Sequence, residues 1–428
     1  MADDSKSVPR NPWTWIPTLY FAQGLPFAAV NFVSVVLYKS LGVSNTDIAF
    51  YTAWLYLPWV LKPLWSPVVD LWRTRRGWIW VTQLLMGAAF AAVALTLPLS
   101  WFFQATLAVF YLAAFASATH DIAADGFYLM ALSERQQAFF VGVRSAFFRV
   151  SLITGQGLLV MLSGVIQTRT GSGVVGWMSA FGVLATLLTM AGAYHRFVLP
   201  RPSEDRMGDV RDLPAFLSGF VRTFAAFFRK DDIGRFLIFL LLYRFAEAQL
   251  VKLAAPFLLD TRAAGGLGLT TAQVGFVYGT VGTIALILGG LLGGFAASRN
   301  GLRAWLWPMA LAIQLPNAVY VYLAAAQPSA FWIVNVCVAV EQFGYGFGFA
   351  AYLLVMMYVA RGAHQTAHYA ICTGFMALGM MLPGMFSGWI QEHIGYPNFF
   401  TWVLLATIPG FMAVRMVRID PEFGRRRN

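Results

Sequence analysis

Charge is what this sequence has least of. Asp, Glu, Lys and Arg together make up 11% of its 428 residues, where a soluble domain carries about 25%. A chain so poor in charge cannot cover a water-facing surface, which excludes a soluble multi-domain protein and makes lipid the solvent for most of the fold. Acids are scarcer than bases, 19 against 30, leaving a formal charge of +11. In a soluble protein that balance would suggest nucleic acid. Here it fits the excess of Lys and Arg in cytoplasmic loops, and no nucleic-acid partner is expected. Cysteine is nearly absent. Cys337 and Cys372 both fall in apolar runs, with no metal-ligand spacing and no loop in which to pair, so they read as packing residues and no metal or cofactor is expected. No G-x-x-x-x-G-K-[ST] run occurs, which argues against ATP drive. No secretory signal precedes the first apolar run.

Long apolar runs are what the sequence has in abundance, and a spanning helix needs about 20 such residues. They predict about twelve transmembrane helices, over 13–38, 46–69, 78–98, 102–131, 136–164, 173–196, 233–262, 268–297, 304–326, 330–360, 365–391 and 396–418. The fold class is therefore an all-α polytopic membrane protein. Lys39, Arg169 and Arg262 are the bases on one side, and those outside the spans otherwise crowd the loops that share a side with the termini. That asymmetry predicts both termini in the cytoplasm. The longest polar stretch, 197–232, contains apolar residues at helical spacing from Leu213 to Phe228 among arginines, the pattern of an amphipathic helix on a membrane surface. It divides the chain into an N-terminal half (1–196), a linker (197–232) and a C-terminal half (233–428).

The halves repeat. Ser66-Pro-Val-Val-Asp70 and the basic cluster Arg73, Arg75 and Arg76 follow the second run; Gly294-Phe-Ala-Ala-Ser298 with Arg299 and Arg303 follow the eighth. Both loops resemble the G-x-x-x-D-R-x-G-R-R signature of the major facilitator superfamily, although Ser298 stands where an acid is usual. The superfamily resemblance implies two six-helix halves with a binding site between them near mid-membrane. Asp70, Arg73 and Arg144 are then candidate gating residues.

Several stretches are more specific. Gly24-Leu-Pro26, Lys62-Pro-Leu-Trp-Ser-Pro-Val-Val-Asp70, Ala116-Ser-Ala-Thr-His-Asp-Ile-Ala-Ala-Asp125, Tyr243-Arg-Phe-Ala-Glu-Ala248, Gly301-Leu-Arg-Ala304 and Gln314-Leu-Pro-Asn317 resemble the AmpG-type muropeptide permeases, in order and over most of the chain. Thr119-His120 departs from the Ser-Gln of that family, and eukaryotic acetyl-CoA carriers share the two-acid pattern of the fourth run. The resemblance implies a proton-coupled importer of anhydromuropeptides in a bacterial inner membrane. A carrier of another amphiphilic anion, such as a CoA ester or a siderophore, is the alternative. An intramembrane enzyme using Asp121 and Asp125 would leave the repeated loops without a role.

Nine charged residues fall deep in the runs: Asp121, Asp125, Glu247, Glu341, Lys62, Arg144, Arg149, Arg244 and Lys252. At ~2.5–3.5 kcal/mol each, left uncompensated they would cost ~20–30 kcal/mol, so they must face one another, a wet cavity or the membrane surface. Asp121 and Asp125, four apart on one helix face, join Glu247 and Glu341 as candidate proton carriers. Asp121 and Asp125 read equally well as ion-bridging partners of Arg144 or Arg149. Arg149 and Arg244 suit carboxylates through bidentate bonds. With Lys252, Gln23, Tyr243 and Tyr352 they form the candidate substrate-binding set, and the small excess of bases favours an anionic cargo. Lys62 is expected to snorkel to the surface.

Overall fold

A computed structural model describes residues 11–203, 205, 213–362, 364–421 and 423; the side chains of 66–68, 70–72, 134, 138, 213–217 and 366 lie outside the described set. Among the described residues nine helical runs are long and apolar enough to cross a membrane. Three further spans are helices interrupted by a turn. The transmembrane helices are α1 (Pro12–Ser40), α2 (45–72), α3 (Arg75–Thr96), α4 (Phe102–Ala131), α5 (134–170) and α6 (Gly173–Val198). After the linker helix (Leu213–Phe228) come α7 (233–259), α8 (Thr271–Asn300), α9 (Leu302–Ala326), α10 (Phe331–Ala360), α11 (365–394) and α12 (396–416). The expected spans and these helices coincide to within several residues. The chain is a multi-pass membrane protein with the major facilitator fold.

The interruptions have local causes. In α2 the helix gives way to a turn at Leu55-Tyr56 and restarts just ahead of Pro58. In α7 it breaks at Tyr243-Arg244, where Arg244 takes φ −107°, ψ 19°. In α11 it breaks at Phe386, φ −94°, ψ −6°. Gly395, at φ +75°, turns the chain sharply from α11 into α12, a conformation open to glycine. The second, seventh and eleventh spans are thus two helical pieces each.

The same helix pairs pack in each half. α1 lies on α5 as α7 lies on α11, α4 packs on α2 and α3 as α10 packs on α8 and α9, and the third helix touches the sixth. Between the halves α2 meets α11 and α5 meets α8, two contacts exchanged by the same pseudo-twofold. Large side chains such as Leu95, Leu112, Leu291 and Met412 remain more than 60% exposed, the lipid-facing surface of such a bundle.

The linker is attached at both ends. The Asp205 carboxylate accepts the backbone N–H groups of Arg75 and Arg76 at 2.7 and 3.0 Å, at the start of α3. At its other end Phe227 is buried in the core of the C-terminal half and Lys230 donates to the carbonyls of Val359 (2.5 Å) and Arg361 (2.7 Å). The bundle face carrying the linker, the start of α1 and the end of α12 is called the tail face below.

Candidate functional site

On the face opposite the tails the two halves are stapled together. Lys39 at the end of α1 lies 2.7 Å from Asp260 at the end of α7. Asn45 of α2 donates to Gln391 (2.6 Å) and to the Tyr396 hydroxyl (2.9 Å), which itself donates to Asp260 (2.6 Å). Thr46 bonds the Glu392 carboxylate through its backbone and its hydroxyl. One layer deeper α5 and α8 touch backbone to backbone: a Cβ on Gly279 would sit 2.1 Å from Gly157 Cα. Both glycines lie in wide-turned π segments, Ile153–Leu159 and Gly275–Gly282.

Beneath this seal lies a cavity of about 850 Å³ between the halves. It extends to Ser298 and Met357, exposed near the tail-face ends of α8 and α10. The N-terminal half contributes Gln23, Asn31, Trp59, Lys62, Asp121, Asp125, Arg144, Arg149 and Gln156. The C-terminal half contributes Arg244, Tyr278, Gln342, Tyr345 and a softer wall of Phe349, Met357, Met376 and Met380.

On α4 both acids face this space, as their four-residue spacing requires, but each has its own cation. Asp121 accepts from Trp59 Nε1 at 3.0 Å and lies 3.7 Å from Lys62 Nζ. Asp125 meets Arg144 Nη2 at 2.9 Å. The Arg144 guanidinium is sandwiched over the rings of Tyr20 and Tyr128, 4.5 and 5.0 Å from their centroids. Lys62 therefore does not snorkel away; a partner on another helix holds it in the cavity wall.

Arg149, one turn and a half beyond Arg144 on α5, has no hydrogen bond or ion pair among the described residues. Opposite it α8 presents Gly290, whose missing Cβ would stand 3.6 Å from Arg149 Nη2. Arg244 is held differently. Its Nη2 donates to the Tyr345 hydroxyl and its guanidinium lies 4.9 Å from the Phe349 centroid. The break in α7 that carries Arg244 frees the Tyr243 carbonyl, and Gln314 of α9 donates to it at 2.7 Å. A buried carbonyl left unmet costs ~1–3 kcal/mol, so Gln314 is what lets α7 open there.

Five expected site residues sit elsewhere. Tyr243 and Tyr352 do not line the cavity; fully buried, they donate to the carbonyls of Gly348 and Leu240, at 2.9 and 2.7 Å, and rivet α7 to α10. Lys252 is 3% exposed and donates to Thr52 Oγ1 at 2.9 Å, joining α7 to α2 near the seal. Glu247 and Glu341 are 0% and 1% exposed and lie behind the cavity wall. Gln23 does line it. Of the gating set, Arg144 is described above and Arg73 rests on the Trp80 ring at 5.1 Å; the Asp70 side chain lies outside the described residues. A polar chain went unread in the sequence: exposed Thr18 and buried His195, Gln83 and His120 are linked at 3.0, 2.8 and 2.9 Å across α1, α6, α3 and α4. Its members are scattered singly over four helices, and only the fold assembles them.

Comparison with known proteins places this geometry in a family. The profile of the BT1 family matches residues 21–315. The chain is 26% identical over 419 residues to the anhydromuropeptide permease of Escherichia coli (strain K12), covering 95% of this chain and 80% of that protein. Among solved structures it is similar to a bacterial homologue of the human lysosomal transporter Spinster in an inward-facing, unoccupied conformation, with TM-score 0.68, 16% identity, and 94% and 95% of the two chains covered. It is also similar to the inward-open xylose transporter XylE of E. coli, with TM-score 0.66, 13% identity, and 93% and 95% covered.

Proposed function

The chain belongs to the BT1 family of membrane proteins, and from that premise we infer that it is a secondary transporter that imports anhydromuropeptides with protons across a bacterial inner membrane. It works by alternating access, the cargo site being the cavity between the halves. The tail face is cytoplasmic, on the strength of the Lys and Arg it gathers, and the conformation described is inward-facing.

One observation carries this reading. A cavity of about 850 Å³, sealed on the far face and mouthed on the tail face, offers a guanidinium, Arg149, with no partner among the described residues, in a wall that mixes amides with Phe and Met side chains. Pockets for organic ligands run from about 300 to 1,000 Å³. A sugar–peptide with free carboxylates matches that wall: its carboxylates suit Arg149 and Arg244, its hydroxyls and amides suit Gln23, Asn31, Gln156 and Gln342, and its methyl groups suit the Met and Phe side. The likeness to the E. coli permease supports the cargo class.

The experiment is uptake into proteoliposomes. An anhydromuramyl disaccharide bearing a short peptide should accumulate when the lumen is made alkaline and exchange by counterflow without a gradient. Counterflow with a CoA ester or a ferric siderophore instead would overturn the cargo and keep the transporter. Chemical change in the recovered solute would overturn both.

A further inference from the structure

Behind the C-terminal wall of the cavity lies a cluster that differs in kind from the paired acids of α4. Arg244, Glu247 and Glu341 are 7%, 0% and 1% exposed. Neither oxygen of Glu247 has a hydrogen-bond donor, and Arg244 Nε has no acceptor. The Glu341 carboxylate receives only the neighbouring Gln342 amide, at 3.0 and 3.2 Å. The charged side chain acting on Glu247 is Arg244, and the one acting on Glu341 is Glu247. The remaining titratable groups facing them are hydroxyls: Tyr278 from α8, Tyr320 from α9 and Tyr345 from α10, with Tyr56 and Tyr352 against Arg244. Lys252, on the same helix as Arg244, is turned to Thr52.

Arg244 thus faces Glu247, Glu247 faces Glu341, and the row of two buried carboxyls has one guanidinium. With both ionised the unit would carry a net negative charge in a site that offers Glu247 no donor, which burial penalises heavily. With one proton it is neutral. The acids of α4 differ in that each has a cation of its own, Lys62 and Arg144. Arg244 also lines the cavity, so the same guanidinium faces the cargo on one side and the two acids on the other.

We propose that Arg244, Glu247 and Glu341 form one charge-balanced unit that stores a single proton, and that an anionic group of the cargo reaching Arg244 draws in a second. The anion takes the guanidinium's charge for itself, the carboxyl left ionised loses its counter-charge, and it binds a proton. Cargo and proton then favour each other by linkage, and each strengthens the binding of the other equally. Tyr278, Gln342 and Tyr345 stand between the acids and the cavity. This rests on the reading of the cavity as a cargo site, but the stored proton does not.

Two measurements on the whole purified protein separate them. Infrared spectra of the ligand-free protein at neutral pH should contain the carbonyl band of a protonated carboxylic acid, shifted in D2O and missing from Glu247→Gln or Glu341→Gln. A band that survives in both variants, or no band in the wild type, overturns the proposal whatever the cargo. Affinity for the anhydromuramyl disaccharide-peptide should weaken as pH rises, by up to about tenfold per pH unit for one linked proton. In Glu341→Gln the stored proton is gone but Glu247 is still ionised against Arg244, so the slope should remain; in the double variant Glu247→Gln/Glu341→Gln the slope should be lost. An equal slope in the double variant overturns the linkage. A wild type that shows the infrared band and binds no muropeptide supports the stored proton and tells against the cargo assignment alone.

Discussion

Lys39 and Asp260 lie 2.7 Å apart across the boundary between the two halves, the one closing α1 and the other closing α7. Tyr396 donates to the same carboxylate, and Asn45 ties Tyr396 to Gln391, so the pair is the centre of a bonded ring drawn from five helices. Such a ring belongs to one conformer. Asp260→Asn should therefore shift the protein toward the state open on this face. With side chains 13% and 21% exposed, the loss is that of a partly screened pair, about 1 kcal/mol or roughly a fivefold change in the conformer ratio. Spin labels at Arg169→Cys and Ala263→Cys, in a background lacking Cys337 and Cys372, should report a larger share of long distances. An unchanged distribution would remove the ring from the seal.

Gly279→Ala should act in the same direction and more strongly. Its Cβ would fall 2.1 Å from Gly157 Cα, and backbone cannot step aside as a side chain does. Overpacking of this kind costs ~1–3 kcal/mol, all of it charged to the conformer in which α5 and α8 touch. The same labels should separate, and uptake should slow. Gly182→Ala, with nothing within 4 Å, is the neutral control.

The two cavity arginines should part company on mutation. Arg149→Ala removes no bond within the protein, so its melting should match the wild type while cargo affinity drops by ~1.5–3 kcal/mol, about tenfold to a hundredfold. Arg149→Lys should recover only part, since an ammonium cannot make the two-pronged contact. Arg244→Ala loses Tyr345 and leaves two buried acids without their cation, so it should lower melting as well as affinity. Equal melting of the two alanine variants would contradict these assignments.

Asp125 and Arg144 are predicted to behave as a unit. Asp125→Asn leaves the guanidinium over two aromatic rings with no anion; Arg144→Gln leaves an acid with no cation. Each single change should cost more than the two together, with a coupling of about 1 kcal/mol for a pair this exposed. A double-mutant cycle on thermal unfolding and on uptake would measure it, and strict additivity would mean that the 2.9 Å contact has no energetic role.

Much of this fold was legible because lipid leaves the chain few choices: a backbone without water must be helical, so apolar length alone places the spans. The α4 acids were also legible, since four-residue spacing fixes a shared face. What could not be read was pairing between helices. Lys62 looked like a snorkelling residue because its partner, Asp121, is on another helix. Tyr243 and Tyr352 entered the candidate substrate-binding set because a sequence does not reveal that their hydroxyls end on the carbonyls of Gly348 and Leu240. The Tyr243-Arg-Phe-Ala-Glu-Ala248 and Gln314-Leu-Pro-Asn317 stretches were noted separately. The 2.7 Å bond from Gln314 to the Tyr243 carbonyl makes them one device, a helix break and its patch.

The linker, anchored at Asp205 to the base of α3 and from the linker helix onward to the C-terminal half, is a leash of fixed length. From Asp205 to Leu213 the chain can reach at most about 26–29 Å when fully extended. If both anchors hold through the cycle, that reach is a hard stop on how far the mouth of the cavity can gape. Cutting residues from this stretch would then narrow the opening without touching the cargo site, and would set an upper size on what can leave. The segment that merely joins the halves in sequence would act as a calliper on the cargo.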